Sequence, residues 1–253
     1  MQNYRMRVVK LAASCAAALV CGGLWAGYVT DGLVLHYDAI DNAGTGVHSG
    51  SSTVWKDLSG NGYDLALPGS GVAAGADAMT FDKAVGEVLG VDCLADAAGA
   101  PELTLEVVCA ADETFDASLT STRTVVANPR IGFHFRHVGS NHVVGGAYHD
   151  GEKSCFAGAP VSRCDWNSKQ FIQRFHTYSL KTKSGAGNIA VDGSGPMKLQ
   201  ASFSSDVAGL SGRMTVGSGS ALYKVKSVRL YSRHLTEAET VQNAAEDEAR
   251  FFN

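Results

Sequence analysis

From residue 33 to residue 231 the chain runs in short apolar segments that alternate, then break at glycine, serine, asparagine or aspartate. A segment with a two-residue period buries one face only by lying in a sheet, so this pattern confines the chain to a sandwich or barrel. Residues 33–37, 79–81, 103–109, 124–127, 131–138, 142–148, 175–181, 188–191, 197–203, 213–216 and 223–231 read as strands. Twenty-nine glycines against five prolines fit many turns rather than disorder. In residues 104–107, Leu105 and Val107 face inward, and Glu106 faces outward as an exposed residue. Gly139-Ser-Asn141 reads as a three-residue hairpin turn that pairs Val138 with His142 and His137 with Val143. In 223–231 the period slips at Lys226-Ser227, which marks an irregularity in that strand.

Helical spacing is confined to residues 236–252. Thr236 followed by Glu239 is a capping box, so the helix starts at Thr236. Ala238, Val241, Ala245 and Phe252 form its apolar stripe and are expected to pack on the sandwich, which leaves Glu246-Asp-Glu248 as a solvated face.

The N-terminus reads as a targeting segment, residues 1–26. Arg5, Arg7 and Lys10 supply the positive region, residues 11–20 the apolar run, and Leu24-Trp-Ala26 a cleavage site. The apolar run is shorter than the ~20 residues a spanning helix needs, so no stable membrane span is expected after cleavage; an uncleaved signal anchor stands as the alternative. The mature chain, 27–253, is read as one domain that is secreted, periplasmic or at the cell surface. A net charge of -4 with no clustered lysine or arginine argues against nucleic acid as a partner. Export leaves Cys93, Cys109, Cys155 and Cys164. A Cys155–Cys164 disulfide closing a Gly/Pro-containing loop is expected to stabilise by roughly 2–3 kcal/mol. For Cys109 a buried free thiol and a bond to Cys93 both stand.

Five segments in order carry a family likeness. They are Asp31-Gly-Leu-Val-Leu-His-Tyr-Asp38 with Val54-Trp-Lys-Asp-Leu-Ser-Gly-Asn-Gly-Tyr-Asp-Leu65, His176-Thr-Tyr-Ser-Leu180, Asn188-Ile-Ala-Val-Asp-Gly193, Arg213-Met-Thr-Val-Gly217 and Leu235-Thr-x-x-Glu239. Together they resemble the laminin-G-like branch of the concanavalin A-like lectin/glucanase superfamily. The resemblance implies an all-β, antiparallel jelly-roll sandwich of two packed sheets, with a short C-terminal helix.

Retaining glycoside hydrolysis needs two carboxylates ~5–5.5 Å apart, which on a strand means Glu-x-Asp-x-x-Glu or close to it. No such run is present, and there is no Gly-x-Ser-x-Gly elbow. The chain therefore reads as non-catalytic; a hydrolase with displaced carboxylates stands as a lesser alternative. His134, His137, His142 and His149 crowd one hairpin but scatter over both faces, unlike a converging metal set. The segment from Asp57 to Asp64 is oxygen-rich and broken by glycine. Two readings stand for it. One is a structural turn, in which Asp57, Ser59 and Asn61 bond backbone amides while Gly60 and Gly62 take positive φ. The other is a calcium site at Asp57, Asn61 and Asp64, the ion being implied by the laminin-G-like resemblance.

Sugar binding needs an aromatic platform beside polar side chains. Trp166 lies in a polar loop next to Cys164, and Tyr148, His149, Asp150 and Arg163 can share its neighbourhood. Trp55 reads as core. The expected function is a binding module for glycans or an extracellular protein; a structural or assembly protein of the cell surface is the alternative.

Overall fold

The computed structural model describes residues 27–88, 102–112, 122–127, 131–138, 141–149, 154–158, 169–183, 186–198, 213–217 and 221–253. The first strands are β1 (Leu33–Asp38), β2 (Val54–Trp55), β3 (Leu65–Ala66), β4 (Val72–Ala74), β5 (Met79–Asp82) and β6 (Val85–Val88). Then come β7 (Leu103–Ala111), β8 (Thr122–Ala127), β9 (Ile131–Val138), β10 (Asn141–His149) and β11 (Ser154–Gly158). A one-turn helix, α1 (Lys169–Ile172), precedes β12 (His176–Lys183), β13 (Ala186–Val191) and β14 (Ser194–Lys198). The chain closes with β15 (Thr215–Gly217), β16 (Leu222–Tyr231) and α2 (Glu237–Phe251).

These strands form two antiparallel sheets, and the fold is the expected all-β sandwich with a C-terminal helix. One sheet runs β14-β13-β12-β7-β16-β5-β4, with β1 also on β16; the other runs β11-β10-β9-β8-β15-β6-β3-β2. Alternation explains which side chains meet between them. Leu105 and Val107 of β7, Tyr178 and Leu180 of β12, and Val228 and Leu230 of β16 turn inward. They meet Phe133 and Phe135 of β9, with Trp55 and Phe81 alongside. Phe133 lies tilted on Tyr178 at 4.7 Å between ring centroids. Trp55 is core, as its sequence context suggests, and its indole N–H donates to the Asp38 carbonyl.

The slip at Lys226 is real. Register shifts between Val225 and Ser227, and the bulge divides one edge of β16 between two partners. Residues 222–225 pair with β5, and residues 227–231 pair with β1. The Lys226 ammonium bonds Asp77 and the Phe251 carbonyl, and it lies 4.5 Å from the Phe175 ring centroid.

The β9–β10 register differs from expectation by one residue. Val138 pairs with Asn141 and His137 with His142, so residues 139 and 140 alone lie between the strands. A two-residue connection is the commonest way to join antiparallel strands. By contrast, Asp192 (φ 51) and Gly193 (φ 67) sit in the left-handed region and link β13 to β14, the type I′ geometry that an Asp-Gly pair favours.

Helix α2 has the expected capping box. The Thr236 hydroxyl accepts from Glu239 N–H, and the Glu239 carboxylate accepts from Thr236 N–H. Its docking face is not the expected one. Ala238 and Ala245 are exposed and Val241 is 51% exposed, whereas Thr240, Asn243, Asp247 and Phe251 are buried. The polar side is chosen because the outer face of the first sheet carries Glu106, Thr177, Ser179, Lys181 and Arg229. Burying the two hydroxyl groups without hydrogen-bonding partners would cost on the order of 2–7 kcal/mol each, and burying the charged groups unpaired far more.

Candidate functional site

Two of the residues expected to hold a ligand, Tyr148 and His149, fall beside the β11 edge of the second sheet. There β10 runs between β9 and the edge strand β11, with Tyr148 opposite Ile131 on one side and Cys155 on the other. His149 pairs with Ser154. Asp150, Arg163, Cys164 and Trp166, with Cys93, lie outside the described residues. Helix α1, where the described chain resumes, packs against β10. Backbone register thus gathers Tyr148, His149 and Cys155 at one sheet edge. Cys109 belongs to the other sheet; it is buried with a free thiol, whose pKa burial pushes up.

Between Asp57 and Asp64 the side chains bind the chain's own donors. Asp57 Oδ1 accepts the His36 and Ser59 N–H groups, and Oδ2 accepts the Ser59 hydroxyl and the Tyr63 N–H. Asp64 accepts from the Lys56 ammonium and the Asp57 N–H. The Asn61 amide donates to the Val34 carbonyl at 2.8 Å. Gly60 and Gly62 take φ of 90° and 80°, as the turn reading expects. A calcium ion bound through Asp57 would have to displace four donors. Among the described residues no three His, Cys, Asp or Glu side chains converge as metal ligands.

The most developed polar constellation was not legible as one. Glu106, Arg229 and Asp247 are each 0% exposed, sealed between the first sheet and α2. Glu106 accepts from the Ser179 hydroxyl at 2.8 Å, the Asn243 amide at 2.7 Å and Arg229 Nε at 3.1 Å. Asp247 accepts from Arg229 Nη1 and Nη2, the Tyr28 hydroxyl and the Thr177 hydroxyl. Asn243 also takes the Val29 N–H, so the chain entering β1 is tied to the same layer. Glu106 was expected exposed and Asp247 solvated; both are buried, because a helix distant in sequence covers the outward face.

Electrostatics follow from burial. Desolvation raises the Glu106 pKa against the pull of Arg229. For Arg229 desolvation works downward, but Asp247 and Glu106 outweigh it and hold the guanidinium well above its usual range. Beside it, His36 is driven down to about 3, by burial first and then by Arg229 and Arg250. Asp38, Glu106 and Asp247 are the buried carboxylates among the described residues, and each bonds an arginine. One signal pointed to this layer: Arg229 stands between Val228 and Leu230 in the last strand, and Asn243 and Asp247 lie one helical turn apart.

The sequence matches no family model and no curated protein. Solved structures do share its shape. A Trypanosoma rangeli sialidase superposes over 88% of this chain and 34% of its own, at 14% identity and a TM-score of 0.57. The receptor binding domain of a botulinum neurotoxin C/D mosaic serotype matches 87% of this chain and 52% of its own, at 10% identity and a TM-score of 0.58. The binding domain of Paraclostridial Mosquitocidal Protein 1 matches 85% and 52%, at 16% identity and a TM-score of 0.60. The chain spans about a third of the sialidase and about half of each binding domain. At these identities the likeness is one of fold, an antiparallel β-sandwich that recurs as a portion of larger proteins.

Proposed function

We propose that the chain is an exported, non-catalytic binding module of laminin-G-like type, recognising a glycan or an extracellular protein. The observation that carries this reading is the fate of the buried carboxylates. Asp38, Glu106 and Asp247 are each paired with an arginine inside the fold, so none of them stands ready as a glycosidic acid or nucleophile. The fold adds support, since the two toxin domains that share it are named for binding. We place the ligand at the β10–β11 edge, with Trp166 as the stacking platform and Tyr148, His149, Asp150 and Arg163 as its polar surround. A Cys155–Cys164 disulfide would stiffen that loop.

A glycan array on protein beginning at Gly27, run with and without calcium, tests the reading. Retention is expected, and Trp166→Ala is expected to abolish it with an unchanged circular dichroism spectrum. A stacked aromatic contributes roughly 1–3 kcal/mol, enough to take weak binding below detection. Retention that survives Trp166→Ala moves the site elsewhere. If it also requires calcium, the Asp57–Asp64 loop becomes the site. Release of sugar from an arrayed glycan would replace the binding reading with hydrolysis.

A further inference from the structure

Asp247 is held as a free carboxylate would be held. Arg229 grips it with two prongs, Nη1 to Oδ1 at 2.8 Å and Nη2 to Oδ2 at 2.6 Å. The Tyr28 hydroxyl donates to Oδ1 at 2.9 Å and the Thr177 hydroxyl to Oδ2 at 2.8 Å. These donors come from three separate parts of the fold: the chain before β1, β12 and β16. Only the carboxylate comes from α2. Arg229 is also fixed by groups other than Asp247. Its Nε bonds Glu106 at 3.1 Å, its Nη1 bonds the Ser227 hydroxyl at 3.2 Å, and the Tyr28 ring lies 4.3 Å from the guanidinium carbon. A planar guanidinium held in this way matches a carboxylate with two parallel bonds, and the buried setting strengthens them.

We propose that Arg229, Tyr28 and Thr177 form a carboxylate-binding site whose resident ligand is Asp247, and that the site takes a small free monocarboxylate once that side chain is removed. Helix α2 is then an intramolecular ligand as well as a structural element. An external acid and α2 compete for the same donors, so filling the site from solution requires the Asp247 side chain to leave. The proposal is independent of the glycan reading.

The test uses the full chain carrying Asp247→Ala, which deletes the carboxylate and keeps Cβ; formate restores the missing atoms. Thermal unfolding is followed in sodium formate and in sodium chloride at equal ionic strength. The variant's Tm is expected to rise with formate along a saturating curve, because a ligand bound only by the folded state stabilises it in step with occupancy. Acetate, larger by a methyl group, is expected to give a smaller rise, and the unsubstituted chain is expected to respond alike to formate and chloride. Equal responses of the variant to formate and chloride overturn the proposal. Should the variant not fold in chloride, refolding from urea is read instead. Recovery in formate alone supports the site, and failure in both salts overturns it. Adding Tyr28→Phe is expected to diminish the formate rise; an undiminished rise removes the phenol from the site.

Discussion

His36 shows how one residue's setting carries over to the stability of the protein. It lies opposite Arg229 across the β1–β16 pair, edge-on to the Tyr28 ring at 5.0 Å, and is 8% exposed. Burial, then Arg229 and Arg250, lowers its pKa from 6.5 to about 3, so the folded protein holds the imidazole neutral. A base whose folded pKa is depressed contributes stability above its unfolded value and loses it as pH falls. The loss therefore spans pH 6.5 down to about 3, at about 1.4 kcal/mol per unit where only the unfolded chain takes the proton. Urea midpoints measured across that range should fall less steeply for His36→Gln than for the unsubstituted chain. Parallel slopes would mean that the imidazole is not held neutral. Residue-scale legibility depended on how far away the partner lay. Asp57 and Ser59 were readable as a turn because their donors are mostly near in sequence, whereas the Asn61 amide donates to the Leu33 and Val34 carbonyls of β1. Glu106 was read with the right direction and the wrong exposure, because its partner Asn243 lies 137 positions along the chain.

At the scale of elements, α2 separates two questions that periodicity joins. Residues 238, 241 and 245 and residues 240, 243, 247 and 251 are both helical stripes, so spacing establishes the helix but not the side that is buried. The outer face of β7, β12 and β16 decides that, and it is polar. The capping box adds a local stop: the Thr236 hydroxyl and the Glu239 carboxylate each satisfy the other residue's backbone N–H, and Arg233 grips the same carboxylate. Thr236→Ala should destabilise by about 1 kcal/mol, seen as a lower melting temperature; an unchanged one would mean that the cap is not limiting. The two-residue strands β2 and β3 were not legible, since a two-residue run has no period to detect. The Lys226 irregularity was, because a bulge leaves its mark on the alternation itself.

For the whole molecule, strand alternation and the resemblance led to the sandwich, and the capping box to its closing helix, whereas the proposed ligand edge rests on Tyr148 and His149 in register beside β11. Cys155 sits on that edge strand, and its closure with Cys164 is expected in exported protein. Peptide mapping without reduction decides it, and free thiols at both positions or a crossed pairing would refute it. The position of β16 has a consequence for biosynthesis. It joins β7, β5 and β1, all made earlier, and it carries Arg229. Until the ribosome has delivered residue 231, three strands of the first sheet wait without the neighbour they share. The β9–β10 hairpin, whose two strands are consecutive, can form long before. A nascent chain stalled before β16 would therefore hold one sheet in outline and the other in separate pieces, β7 with β12–β14, β5 with β4, and β1 alone, each with an unmatched edge that a chaperone or export partner could cover.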